Sequence, residues 1–134
     1  MSNQNVRAAD IRHWQNLTFR DVGVMTTWLA AIGVVEHAVH RSESDPDVIV
    51  HGEWVWPGGA GFMGGSFQQG SVSTPPGSTS VYLVTDDVAG VVARAVAAGG
   101  TIVVPLEEKE YGGRGATVQD PEGNHWSFGS YQPS

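Results

Sequence analysis

The side chains in this chain best suited to chemistry are a few imidazoles and carboxylates on strand-like stretches. His51 and Glu53 alternate along VIVHGEWVW, so an extended backbone points both to one face. An imidazole and a carboxylate at that spacing can chelate a divalent cation, or share a proton on a solvated face. His125 stands two residues before Ser127 in NHWSFGSY, and the same alternation puts both, with Gly129, on one face. His13 precedes Trp14 and reaches that strand's other face only through a bulge. Each place offers one or two donors, where a catalytic metal site ordinarily takes three from the protein. Glu107, Glu108 and Glu110 surround Lys109 and read as a solvated loop rather than as a paired acid and base.

Other chemistries are absent by residue type. There is no cysteine, which removes disulfides, thiolate zinc sites and cysteine nucleophiles. No Gly-x-Ser-x-Gly elbow occurs. PGGAGFMGG is rich in glycine, but neither a lysine nor a helix start follows it, so it is no phosphate cradle. A formal net charge of −7 repels nucleic acid, keeps the protein soluble and attracts cations. No apolar stretch approaches the ~20 residues of a membrane span. The opening MSNQNVRAAD lacks the apolar core of a signal peptide. These features predict a cytoplasmic protein with no membrane partner.

The elements that position these residues repeat. LTFRDVGVMTTWLAAIG from Leu17 and VYLVTDDVAGVVARAVAAGG from Val81 both run from a strand through an acidic cap, Asp21 or Asp86, into a helix that stops at glycine. Met25, Trp28, Leu29 and Ile32 form the apolar stripe of the first helix. Val88, Val91, Val92, Ala95 and Val96 form that of the second. Three strands follow each helix: VVEHAVH, VIVHGEWVW and GFMGGSF, then TIVVPL, GATVQD and HWSFGSY. The prediction is an α+β fold of two βαβββ modules, residues 11–67 and 80–131. QQGSVSTPPGSTS (68–80) supplies the linker, residues 68–79, within one domain spanning 1–134. One such module leaves a sheet face open. Two side by side form an incomplete barrel with helices outside and a cup that suits a small molecule.

Together with VAAGGTIVVPLEEKEYGGRGA, the stretch TVQDPEGNHWSFGSY and the duplicated architecture resemble the vicinal oxygen chelate superfamily, also called the glyoxalase/bleomycin-resistance/dioxygenase superfamily. The resemblance runs from Ile11 to Tyr131, with the glyoxalase-like subgroup nearest. Asp-Pro-Glu-Gly-Asn is its tight turn into the last strand. Members typically hold a divalent metal with four side chains, from the first and last strands of each module. Here those places fall on Trp14, Met63, Ser80 and Ser127, an indole, a thioether and two hydroxyls. None suits a hard or borderline cation, so the expectation is no metal and no cofactor.

The same phase predicts the lining of the cup. Trp14, Asn16, Thr18, Met63, Ser80, Tyr82, Val84, His125 and Ser127 face inward, while Leu17, Phe19, Trp126 and Phe128 face a helix. Trp54 and Trp56 pack between modules. Tyr111 and Arg114 ride a glycine-hinged loop able to act as a lid. This lining suits a flat or cationic ligand, held by aromatic and thioether contacts and oriented by hydrogen bonds. The principal expectation is a metal-free small-molecule binder, as the drug-resistance members are. The resemblance adds a homodimer. A metal-dependent lyase or isomerase with a non-standard site, and a non-catalytic structural or regulatory module, are the alternatives.

Overall fold

The computed structural model describes residues 7–134. Residues 1–6, most of the stretch read above for a signal pattern, lie outside them. A short 3-10 turn, Ala8–Asp10, leads into β1 (Trp14–Phe19), α1 (Val22–Ile32), β2 (Val35–Arg41), β3 (Ile49–Trp56) and β4 (Ala60–Ser66). The second module repeats the order as β5 (Ser80–Val84), α2 (Val88–Ala97), β6 (Thr101–Glu108), β7 (Arg114–Gln119) and β8 (His125–Gly129). The modules form two four-stranded mixed sheets, β1-β4-β3-β2 and β5-β8-β7-β6, neither closed into a barrel. In each, the first strand runs parallel to the last, and the other pairs are antiparallel.

Local chemistry sets the helices. The Asp21 carboxylate accepts the Val24 N–H at 3.1 Å and starts α1, which ends at Gly33 with φ 98°. In the second module Asp87, not Asp86, caps α2 by accepting the Gly90 N–H at 3.1 Å. The Thr85 hydroxyl accepts the Asp87 N–H, and the helix begins only at Val88, which leaves Asp86 exposed one residue too early. Met25, Trp28, Leu29 and Ile32 are buried as the stripe predicts, as are Val88, Val91, Val92 and Ala95. Val96 is exposed. Eight residues past Val88 it has drifted about 80° around the helix, to the edge of the stripe.

The two helix-covered faces bury into one core. The Trp28 indole N–H donates to the Ala95 carbonyl at 3.0 Å, joining α1 to α2. The Trp126 ring of β8 lies 5.2 Å from Trp28 and 5.3 Å from Phe62 of β4, and Trp56 approaches Phe128 at 6.4 Å. Trp54, expected between modules, instead packs edge-on against Phe19 of β1 within its own module at 5.3 Å, whereas Trp28, Trp56, Phe62, Trp126 and Phe128 cross the joint. Burying each such side chain contributes about 1.5–3 kcal/mol, so this seam between modules is a large part of the apolar stabilisation.

Polar contacts fix the same joint. In the turn between β7 and β8 the Glu122 carboxylate accepts the Arg20 N–H at 2.8 Å and also the Asp21 N–H, at the start of α1. The linker is pinned too. Thr18 donates its hydroxyl to the Thr74 carbonyl, and Thr79 donates its hydroxyl to the Asn16 carbonyl at 3.1 Å. Each helix lies outside the open face of its own sheet, as expected. The open faces keep separate cavities, one lined from β1, β3, β4 and the linker and the other from β5, β7, β8 and residues 109–111, so residues read as one cup line two cavities.

Candidate functional site: two separated half-sites

Register places the predicted residues strand by strand. On the open face of the first sheet Asn16 pairs with Met63, and Met63 in turn pairs with Glu53 of β3. On the open face of the second, Tyr82 pairs with Ser127 and Ser127 with Thr117. The repeat makes these rungs equivalent. One rung toward the strand starts, Trp14 pairs with Gly61, and Ser80 with His125. The glycines are needed here: a Cβ on Gly61 would lie 2.5 Å from the Trp14 ring, and one on Gly129 would lie 2.3 Å from the Tyr82 hydroxyl. Each lets an aromatic ring lie across the neighbouring strand.

The first open face holds a cavity of about 410 Å³ lined by Asn16, Thr18, His51, Met63 and Ser66. Gln68, Ser71 and Ser73 of the linker form its remaining wall. That volume falls within the range of small-molecule sites, roughly 300–1,000 Å³. Asn16 and Met63 were expected here. The linker residues were missed, because a Ser/Pro/Gly segment carries no periodicity to show that it folds back over a sheet. Only its many hydroxyls hinted at a binding role.

The second face holds a smaller cavity, about 90 Å³, which brings together Tyr82, Tyr111 and Ser127 with Lys109 and Thr117. The Ser127 and Thr117 hydroxyls hydrogen-bond at 2.7 Å. Tyr82 donates its hydroxyl to the Tyr131 carbonyl at 2.8 Å, and Tyr111 stacks edge-on to Tyr131 at 5.1 Å. Burial first, then the neighbouring Tyr111, raises the Tyr82 phenol above its ordinary pKa, so it stays a neutral donor at physiological pH. The Glu107 carboxylate, 2.7 Å away, holds Lys109 charged. Lys109, read from the sequence as part of a solvated loop, thus lines this cavity.

The remaining predicted residues line neither cavity. Trp14 is half-buried over Gly61 beside the first. Ser80 and His125 are exposed on one rung. Arg114 opens β7 and stands 3.8 Å from Glu108, away from Tyr111.

The metal that the resemblance implies finds no suitable donors. Trp14 and Met63 sit on different rungs, as do Ser80 and Ser127. On β1, β4, β5 and β8, the rungs that do carry facing side chains offer an amide, a thioether, a phenol and a hydroxyl. None of these supplies the charge or imidazole nitrogen that a divalent ion takes in exchange for its water.

The model of the glyoxalase-like domain family matches residues 8–128. The structure of TioX from Micromonospora sp. ML1 is 28% identical, covering 90% of this chain and 99% of that one, with a TM-score of 0.69. A glyoxalase-related enzyme from Fulvimarina pelagi, at 22% identity, covers 90% of this chain and 87% of its own with a TM-score of 0.67. The fosfomycin resistance protein FosX from Mesorhizobium loti, at 12%, covers 92% and 93% with a TM-score of 0.63. At those last two identities the likeness is one of fold. Uncharacterized proteins of Mycobacterium bovis and Mycobacterium tuberculosis are 42% identical over 50 residues. The match covers 37% of this chain and about a third of those relatives' length. Paired modules, parallel first and last strands, and a family match over most of the length agree: the chain belongs to the glyoxalase-like domain family of the glyoxalase/bleomycin-resistance/dioxygenase superfamily.

Proposed function

We propose that this protein is a cytoplasmic, metal-free binder of small aromatic or cationic compounds. Its site is shared between two copies of the chain. Module one (residues 11–67) of one copy supplies Asn16, Met63 and the linker wall. Module two (residues 80–131) of the other supplies Tyr82, Tyr111 and Ser127. The observation that supports the proposal is the division of the lining: two equivalent rungs border separate cavities, and in this reading each is half a cup. A twofold dimer brings one face of each kind together twice, which closes the assembly. The lining supports the ligand class. The Met63 thioether and the Trp14, Tyr82 and Tyr111 rings give polarizable contact to a flat ligand, and the −7 charge favours a cationic one.

Fluorescence tests this directly. Trp28, Trp54, Trp56 and Trp126 are buried, so Trp14 is the indole that a ligand can reach. Chelator-treated protein is titrated with planar cationic compounds, including a bleomycin-like glycopeptide. Saturable quenching tighter than about 1 mM, lost in Trp14→Phe and accompanied by dimer mass in sedimentation, is the expected result. No binding tighter than millimolar across the panel refutes the proposal.

A further inference from the structure

We propose that His51, Glu53 and His37 form a second ligand site, one for a borderline divalent cation such as Zn²⁺ or Ni²⁺, which the ion itself draws together. The site lies on β2 and β3, one strand beyond the β1 and β4 places considered above. His51 Nε2 lies 2.8 Å from one Glu53 carboxylate oxygen, and His37 Nε2 lies 4.0 Å from the other. Donors bound to a single ion at about 2.0–2.2 Å sit roughly 3 Å or slightly more apart. The first pair already meets that spacing. His37 needs a shift of about 1 Å, which its side chain, 51% exposed, is free to make.

Among the described residues no three His, Asp or Glu side chains are already converged as a metal centre, and His37 stands 4.0 Å from Glu53. The backbone supplies the third donor deliberately. The β2–β3 register passes from Glu36↔Trp54 to Ala38↔Glu53 and skips His37. His37 and Ala38 therefore both stand opposite Glu53, with the His37 imidazole 4.0 Å from its carboxylate. A second irregularity near Val50 leaves His40 opposite His51, with the two rings stacked at 6.3 Å.

Two imidazoles and a carboxylate favour zinc, nickel or copper over magnesium or calcium. Glu53, on β3 beside Met63, contributes the negative charge that the β1, β4, β5 and β8 side chains lack. On binding, the ion displaces the hydrogen shared by His51 and Glu53 and keeps water at its remaining positions. Because His51 also lines the cavity of the first open face, the ion would sit at its rim on β2 and β3, apart from the β1, β4, β5 and β8 places that the metal-free reading concerns.

The test is calorimetric titration of untagged full-length protein with Zn²⁺ and, separately, Ni²⁺. The expected result is one ion per chain with Kd tighter than about 100 μM. His51→Gln and Glu53→Gln each weaken binding at least about tenfold and His37→Gln about threefold or more, while His13→Gln and His125→Gln bind as the parent does. All five positions are half-buried or exposed strand or surface residues, and unchanged far-UV circular dichroism confirms folding of each variant. No wild-type binding tighter than millimolar overturns the proposal. So does equal loss in the His13 or His125 variant, or a Glu53→Gln protein that binds as the parent does.

Discussion

Replacing Asp120 tests how the most specific sequence motif acts. Its carboxylate is 4% exposed and accepts four hydrogen bonds. One oxygen takes the N–H groups of Glu122 at 2.8 Å and Asn124 at 3.1 Å. The other takes the Asn124 side-chain amide at 2.8 Å and the Trp126 indole N–H at 2.9 Å. Hydrogen bonds to a charged group are each worth about 1.5–3 kcal/mol, and an orphaned buried donor costs about 1–3 kcal/mol. These contributions overlap, so Asp120→Ala is expected to cost about 3–5 kcal/mol. Asp120→Asn keeps the shape but turns an NH₂ toward two donors, at about 2–3 kcal/mol. For a chain of this length each kcal/mol moves Tm by roughly 3–5 °C, so the alanine variant should melt roughly 10–20 °C lower. Thermal and urea unfolding followed by circular dichroism measures both. A loss under about 3 °C for Asp120→Ala would refute the reasoning and make Asp-Pro-Glu-Gly-Asn an ordinary turn.

Further outcomes follow from the same coordinates. Trp28→Phe removes the α1–α2 hydrogen bond and part of an indole from the core, and should cost about 2–3 kcal/mol in urea unfolding. Gly64→Ala places a Cβ 1.8 Å from the Leu17 carbonyl oxygen at φ 155°; it should cost roughly 3 kcal/mol or more by the same measurement, or prevent folding. Tyr82 has a folded pKa raised above its unfolded value, so the stability it contributes is present below about pH 10 and lost as pH rises through the folded value. Urea midpoints should therefore fall above about pH 10 in the parent, and less steeply in Tyr82→Phe.

Much of the fold was legible because it repeats. A period-2 strand, an acidic cap, a 3.6-period stripe and a glycine stop occur twice in the same order, and both helix stripes are buried as read except for Val96. The choice of Asp87 over Asp86 was not legible, since two adjacent aspartates cap equally well until Thr85 fixes where the helix starts. Strand phase was readable from alternation alone: Leu17, Phe19, Trp126 and Phe128 are core residues, with Trp14, Asn16, Tyr82 and Ser127 opposite them. That the two open faces line separate cavities was not readable. It depends on contacts such as Phe62 with Trp126, between residues far apart in sequence that any apolar partner could satisfy. His37 was hidden for a different reason: its nearness to Glu53 comes from the β2–β3 pairing and its bulge, which the sequence does not display.

Complementation between two defective chains tests the shared site most directly. One chain carries Asn16→Ala and Met63→Ala, the other Tyr82→Ala and Ser127→Ala, and each alone should lose ligand binding. Co-refolded in equal amounts with random pairing, mixed dimers hold one intact site and one doubly altered site, which restores about a quarter of wild-type capacity at wild-type affinity. No recovery on mixing, or full binding by either altered chain alone, would contradict a site built from two copies.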